Sequence, residues 1–110
     1  MAEHIIKCAP AYFDAIERGD KTFEVRRDDR GYQKGDTLIL QRTKQDSPWE
    51  VEWDSFFDPP LGERRRARKE LRCTVAWVLT GGQFGIEGGY VVMSIKDVAP
   101  PSSTEASHEQ

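Results

Sequence analysis

Chemistry in this chain concentrates first in one short stretch, Gly19-Asp20-Lys21-Thr22-Phe23-Glu24-Val25-Arg26. Lys21, Glu24 and Arg26 supply a point cation, a set of acceptors and a rigid fork of donors. Together they suit a phosphate, a carbonyl or the edge of a base. Residues two apart on a strand share a face, so Glu24 and Arg26 address one ligand or pair with each other. The bland alternative is a solvated strand face with an ordinary surface ion pair, worth at most about 1 kcal/mol.

The run Arg64-Arg65-Arg66-Ala67-Arg68-Lys69 is the second concentration. It suits a clamp on a phosphate backbone, or equally a loop neutralised by the acidic stretch before it. Residues 44–63 hold one lysine against six acids, with Trp49, Trp53, Phe56 and Phe57 among them. These aromatics suit base stacking, apolar cover or a protein partner. Gly81-Gly82-Gln83-Phe84-Gly85 lacks the context of a nucleotide phosphate loop and reads as a glycine-rich hairpin. His4 reads as a hydrogen-bonded structural residue. With Cys8, Cys73, His4 and His108 as the only thiols and imidazoles, no zinc-site spacing and no nucleophilic triad emerges. No cofactor is implied.

Positioning these groups calls for a small, mostly β scaffold. Residues 4–9 read as a strand, and Pro10 opens a helix in which Tyr12, Phe13 and Ile16 recur at helical spacing until Gly19 stops it. Phe23 and Val25 alternate with Thr22, Glu24 and Arg26 in a second strand. Strands over 37–43, 71–79 and 90–98 follow, with Trp77 expected in the core beside Val75 and Leu79. The long connection over 44–69 reads as a charged, aromatic insertion or a mobile loop. About five strands and one early helix predict an α+β fold, mostly β, curled into an open barrel. One domain spans 1–99, and the Ser/Pro/Glu-rich 100–110 reads as a disordered tail.

Composition narrows the function classes. Of 110 residues, 16 are Lys or Arg and 19 Asp or Glu, giving a net charge of -3, and two of those acids, Glu105 and Glu109, lie in the tail. So balanced a domain does not coat duplex DNA through bulk charge. No apolar run approaches the ~20 residues of a membrane span. The first ten residues do not read as a secretory leader, so the cytoplasm is the expected compartment.

Gly19-x-Lys21-x-x-Glu24-x-Arg26 after a Tyr-Phe-containing helix resembles the signature of the ASCH domain, a member of the PUA-like superfamily of pseudobarrels. Asp29-Arg30-Gly31, Gly35-Asp36-x-Leu38, Gly82-Gln83-Phe84-Gly85 and Gly89-Tyr90-Val91-Val92 resemble a short single-domain branch of it. The resemblance runs over roughly residues 4–97, interrupted by 44–68.

The resemblance implies nucleic-acid contact: single-stranded RNA or a modified nucleotide in a cleft lined by Lys21, Glu24 and Arg26, with Asp29, Arg30, Gln83, Phe84 and Tyr90 around it. Arg and Lys suit phosphate, Glu and Gln a base edge, and an aromatic stacking. It also implies an enzymatic alternative, since one ASCH relative is an amidohydrolase that deacetylates N4-acetylcytidine through lysine, threonine and glutamate. Here the residue three after Lys21 is Glu24, not threonine, which leaves Lys21 and Glu24 as a general acid/base pair without an evident nucleophile. The third alternative is a protein-interaction module built on 44–69.

Overall fold

The computed structural model describes residues 1–58 and 63–100, with side chains described over 1–53 and 69–100. Its elements are β1 (Glu3–Cys8), α1 (Pro10–Glu17), β2 (Phe23–Arg27), β3 (Thr37–Lys44), β4 (Ser47–Val51), β5 (Trp53–Asp58), β6 (Glu63–Arg68), β7 (Glu70–Thr80) and β8 (Tyr90–Ala99). The expected α+β, mostly β class holds.

One sheet carries the domain, in the order β1-β3-β7-β8-β2, with β4 added to β3. β1 and β3 run parallel, and the other pairs are antiparallel. The sheet is not closed by a backbone ladder: β1 and β2 remain its two edges. They are nevertheless close, because Arg26 of β2 donates from Nη2 to the Lys7 carbonyl of β1 at 2.7 Å. Laid flat, four inter-strand steps of about 4.8 Å would hold those edges about 19 Å apart, beyond an arginine's reach. The sheet therefore curls until its edges meet across a seam.

Inside the curl lie Ile6, Cys8, Leu38, Leu40, Leu71, Cys73, Val75, Val91, Met93 and Ile95, with Phe13 and Ile16 of α1 packed on the same cluster. Burying a side chain such as Phe13, which is fully enclosed, contributes about 3 kcal/mol. Pro10 stands in the first turn of α1, where its missing N–H is no loss. The helix ends in a Schellman arrangement: Asp20 N–H donates to the Ala15 carbonyl at 2.9 Å and Gly19 N–H to the Ile16 carbonyl at 3.1 Å. Gly19 takes the required positive φ of 88°. Arg42 on β3 fixes the helix from the other side, donating from Nε and Nη2 to the two oxygens of Asp14, both at 2.9 Å.

The structure departs from the sequence pattern at two positions and gives the 44–69 connection a form that the sequence leaves open. Tyr12 is 58% exposed, because the buried stripe of α1 runs through Pro10, Phe13 and Ile16 and leaves Tyr12 about 100° off it. Trp77 is also 58% exposed. The pairing of β7 with β8 shifts register between Val75 and Trp77, and the extra residue turns Trp77 to the outside and Val78 toward the core. The 44–69 connection is not an irregular loop: it supplies β4 and a separate two-stranded ribbon of β5 and β6, paired from Trp53↔Arg68 to Asp58↔Glu63. The acidic and basic stretches are thus antiparallel partners in backbone register. The tail expected to be disordered lies, from 101 onward, outside the described residues.

Candidate functional site

Register decides what the seam contains. Glu24 pairs with Met93 and Arg26 with Val91, and both partners face the interior. Residues directly opposite on paired strands share a face, so the polar face of β2 turns inward. Phe23 and Val25 are left outside, 44% and 49% exposed. The alternation is as the sequence implies, yet Glu24 is no solvated surface residue: it is 3% exposed.

A buried carboxylate must be paired, and Glu24 is paired on both oxygens. Lys21 Nζ donates to Oε1 at 2.7 Å and Arg26 Nε to Oε2 at 2.9 Å. Lys21 is delivered by the helix terminus, its own N–H donating to the Ala15 carbonyl at 3.1 Å. Its ammonium also donates to the Phe23 carbonyl at 2.6 Å and lies 4.7 Å from the Phe23 ring centre and 5.3 Å from that of Tyr12. Distances of this order give cation–π attraction.

Above this trio opens a cavity of about 530 Å³, lined by Lys7, Tyr12, Lys21, Phe23, Glu24 and Arg26, with Ala9 and Val25 completing its wall. Its free valences can be counted. Among the described residues, Lys21 has one N–H beyond its two acceptors, Arg26 keeps the Nη1 pair, and Oε1 of Glu24 keeps a lone pair. The cavity therefore offers donors and one charged acceptor within a few ångströms, flanked by two aromatic rings.

The other expected site residues separate into two groups. Asp29 and Arg30 line an adjoining cavity of about 370 Å³ that shares Lys7 and Arg26 with the first. Gln83, Phe84 and Tyr90 line neither. Gln83 Nε2 donates to the Thr80 carbonyl at 2.9 Å within its own hairpin, and Phe84 is 84% exposed at its tip. Tyr90 lies under Arg27, whose guanidinium carbon is 5.1 Å from the ring centre. The aromatics at the cavity are instead Tyr12 and Phe23, and Lys7 is a further lining residue outside the expected set. Helical spacing alone carried a signal for Tyr12, since a helix this short buries only one stripe. For Lys7 the signal is weaker, an outward position on an edge strand.

Beyond the seam, one buried titratable pair is held structurally. His4 Nε2 lies 2.9 Å from Asp36 Oδ2, and the Ala2 and Gln33 backbone N–H groups donate to the same carboxylate at 3.1 Å and 3.0 Å. Burial opposes the charge of Asp36, but these hydrogen bonds outweigh it and hold the carboxyl below its ordinary range. Cys8 and Cys73 are unpaired and buried. Burial, reinforced by the Glu24 charge, pushes their thiols up to about 11 and about 12. Among the described residues, no group of three or more His, Cys, Asp or Glu could hold a metal ion. Nor is any helix among them long and apolar enough to cross a membrane.

This curled, mostly β sheet, with Lys21 and Arg26 around the buried Glu24 at its seam, belongs to a recognisable family. Residues 3–95 match the pattern described as "Domain of unknown function (DUF3850)", and the chain belongs to that family. A stretch of 42 residues is 45% identical to an uncharacterised 12.9 kDa protein in the GpA 3′ region of Escherichia phage P2. The match covers 38% of each chain, so this chain spans less than half the length of that relative.

Proposed function

We propose that the seam cavity recognises single-stranded RNA or a modified nucleotide, one planar base at a time. One observation carries the reading: a buried carboxylate, held between Lys21 and Arg26, floors a cavity flanked by Tyr12 and Phe23. A base carbonyl or ring nitrogen accepts from Lys21 and Arg26, an exocyclic amine donates to Glu24 Oε1, and a ring stacks on the base. The resemblance to ASCH domains of the PUA-like superfamily agrees with this reading, as does the place of Lys21, Glu24 and Arg26 together in one cleft. Two buried free thiols suit a reducing compartment, and we place the protein in the cytoplasm.

The 2.7 Å contact between Lys21 and Glu24 favours a second reading, in which this pair performs acid/base work on an N-acylated nucleoside such as N4-acetylcytidine. Thr22, the nearest hydroxyl in sequence, does not line the cavity. Recognition without turnover is therefore the primary reading.

An amide NMR titration with short single-stranded RNA and a panel of modified nucleosides, N4-acetylcytidine included, tests both. Shifts confined to Lys7, Tyr12 and Lys21–Arg26 support recognition, and product peaks that vanish in Glu24→Gln support the enzyme. Silence at these residues at low salt and high ligand removes the seam as a nucleotide site.

A further inference from the structure

Arg26 belongs to two cavities, and the second differs chemically from the first. Lys7, Arg26, Arg27 and Arg30 line it against a single carboxylate, Asp29. Arg30 donates from Nη1 to the Ile5 carbonyl at 2.7 Å, leaving Nε and Nη2 without an acceptor among the described residues. Among the described residues, Arg26 keeps its Nη1 pair, and the one hydrogen-bond acceptor of Arg27 is the Tyr90 hydroxyl, at 3.3 Å. Three guanidinium groups with unused donors thus surround one small cavity. Like charges so gathered repel one another, and an anion between them relieves that repulsion. The guanidinium fork matches phosphate oxygens in pairs. Tyr32, Gln41 and the aliphatic Ile5 and Ile6 form the remaining wall and provide little surface for a second base.

Resting on the reading above, we infer that the ligand is a phosphorylated nucleotide, its base in the Glu24 cavity and its phosphate among Arg26, Arg27 and Arg30. Arg26 stands where the two cavities meet, clamped by Glu24 on one side and free to donate on the other. Asp29 repels a bare polyanion and supplies an acceptor suited to a ribose hydroxyl.

Titration calorimetry on the full chain separates the two claims. The probes are the four ribonucleosides, their 5′- and 3′-monophosphates, and inorganic phosphate. At least one monophosphate is expected to bind about tenfold to a hundredfold more tightly than its nucleoside, as one or two charge-assisted contacts provide. Arg30→Ala removes that increment and leaves nucleoside affinity unchanged, Arg30→Lys retains part of it, and inorganic phosphate competes with the monophosphate alone. Arg27→Ala, at an exposed position, gives the same readout should Arg30→Ala fail to fold. A nucleoside bound as tightly as both its monophosphates overturns the phosphate subsite and leaves the Glu24 reading intact. No binding by either series overturns both.

Discussion

Arg26 of β2 donates to the Lys7 carbonyl of β1 at 2.7 Å while its Nε holds Glu24 at 2.9 Å, so one side chain joins the sheet's edges and neutralises its buried carboxylate. The fold and the proposed recognition therefore share a residue. Arg26→Ala leaves Glu24 with Lys21 alone, and half-satisfying a buried carboxylate costs about 2 kcal/mol. Urea unfolding is expected to show that loss, with nucleotide shifts at Tyr12 and Phe23 abolished under conditions where the variant remains folded. Unchanged stability would mean that Glu24 is hydrated when Arg26 is absent.

The bulge in β7 sets two residues of one strand apart. Leu71→Ala, at a position 2% exposed, is expected to cost about 3 kcal/mol. Trp77→Ser, at one 58% exposed, should fall within about 0.5 kcal/mol of the parent. A large loss on replacing Trp77 would place it in the core and remove the bulge.

Both thiols are neutral across the physiological range. Their folded values of about 11 and about 12 lie above the ordinary 9.0, so their contribution to stability is complete below pH 9 and is lost as pH rises toward those values. The double variant Cys8→Ala/Cys73→Ala should flatten the alkaline limb of a stability–pH curve. Ellman's reagent should react with the native protein only at the rate of its unfolding.

Asp36 works in the opposite direction. Its folded carboxyl titrates below the ordinary 3.8, so its contribution is present above pH 3.8 and is lost as pH falls below it. Asp36→Asn should lower stability at pH 7 and make acid unfolding less steep. Equal acid limbs in parent and variant would mean that the network around His4 and the Gln33 amide does not favour the charge.

Strands were legible wherever alternation was regular. β1 and β8 follow their patterns closely, with Ile6 and Cys8 on one and Val91, Met93 and Ile95 on the other marking the inward face, whereas β3 buries Gln41 and Thr43 beside its apolar centre. The exception within β7 has a physical origin: a bulge adds one residue without altering composition, so Val75, Trp77 and Leu79 still alternate on paper while the backbone has changed face. Glu24 shows the converse. Its alternation with Phe23 and Val25 suggests an apolar face turned inward, but β8 dictates the register, and Met93 and Val91 draw Glu24 and Arg26 inside. The trio Lys21, Glu24 and Arg26 could be found from spacing. Of its aromatic companions, Tyr12 left only the trace of helical spacing, because it approaches across a tertiary contact, whereas Phe84 and Tyr90 were implied by motif order alone. Order along a chain carries no information about which hairpin faces the seam.

The seam has one more consequence, for solubility. An unpaired edge strand presents a row of carbonyls and amides on which a strand from another molecule can build. Two carbonyls on the free side of β1, those of Ile5 and Lys7, are already occupied by Arg30 and Arg26. A foreign strand must displace both guanidinium groups and dock against their charge. The arginines that hold the sheet curled thereby act as gatekeepers against intermolecular β-pairing, and losing both would turn a closed seam into a site for aggregation.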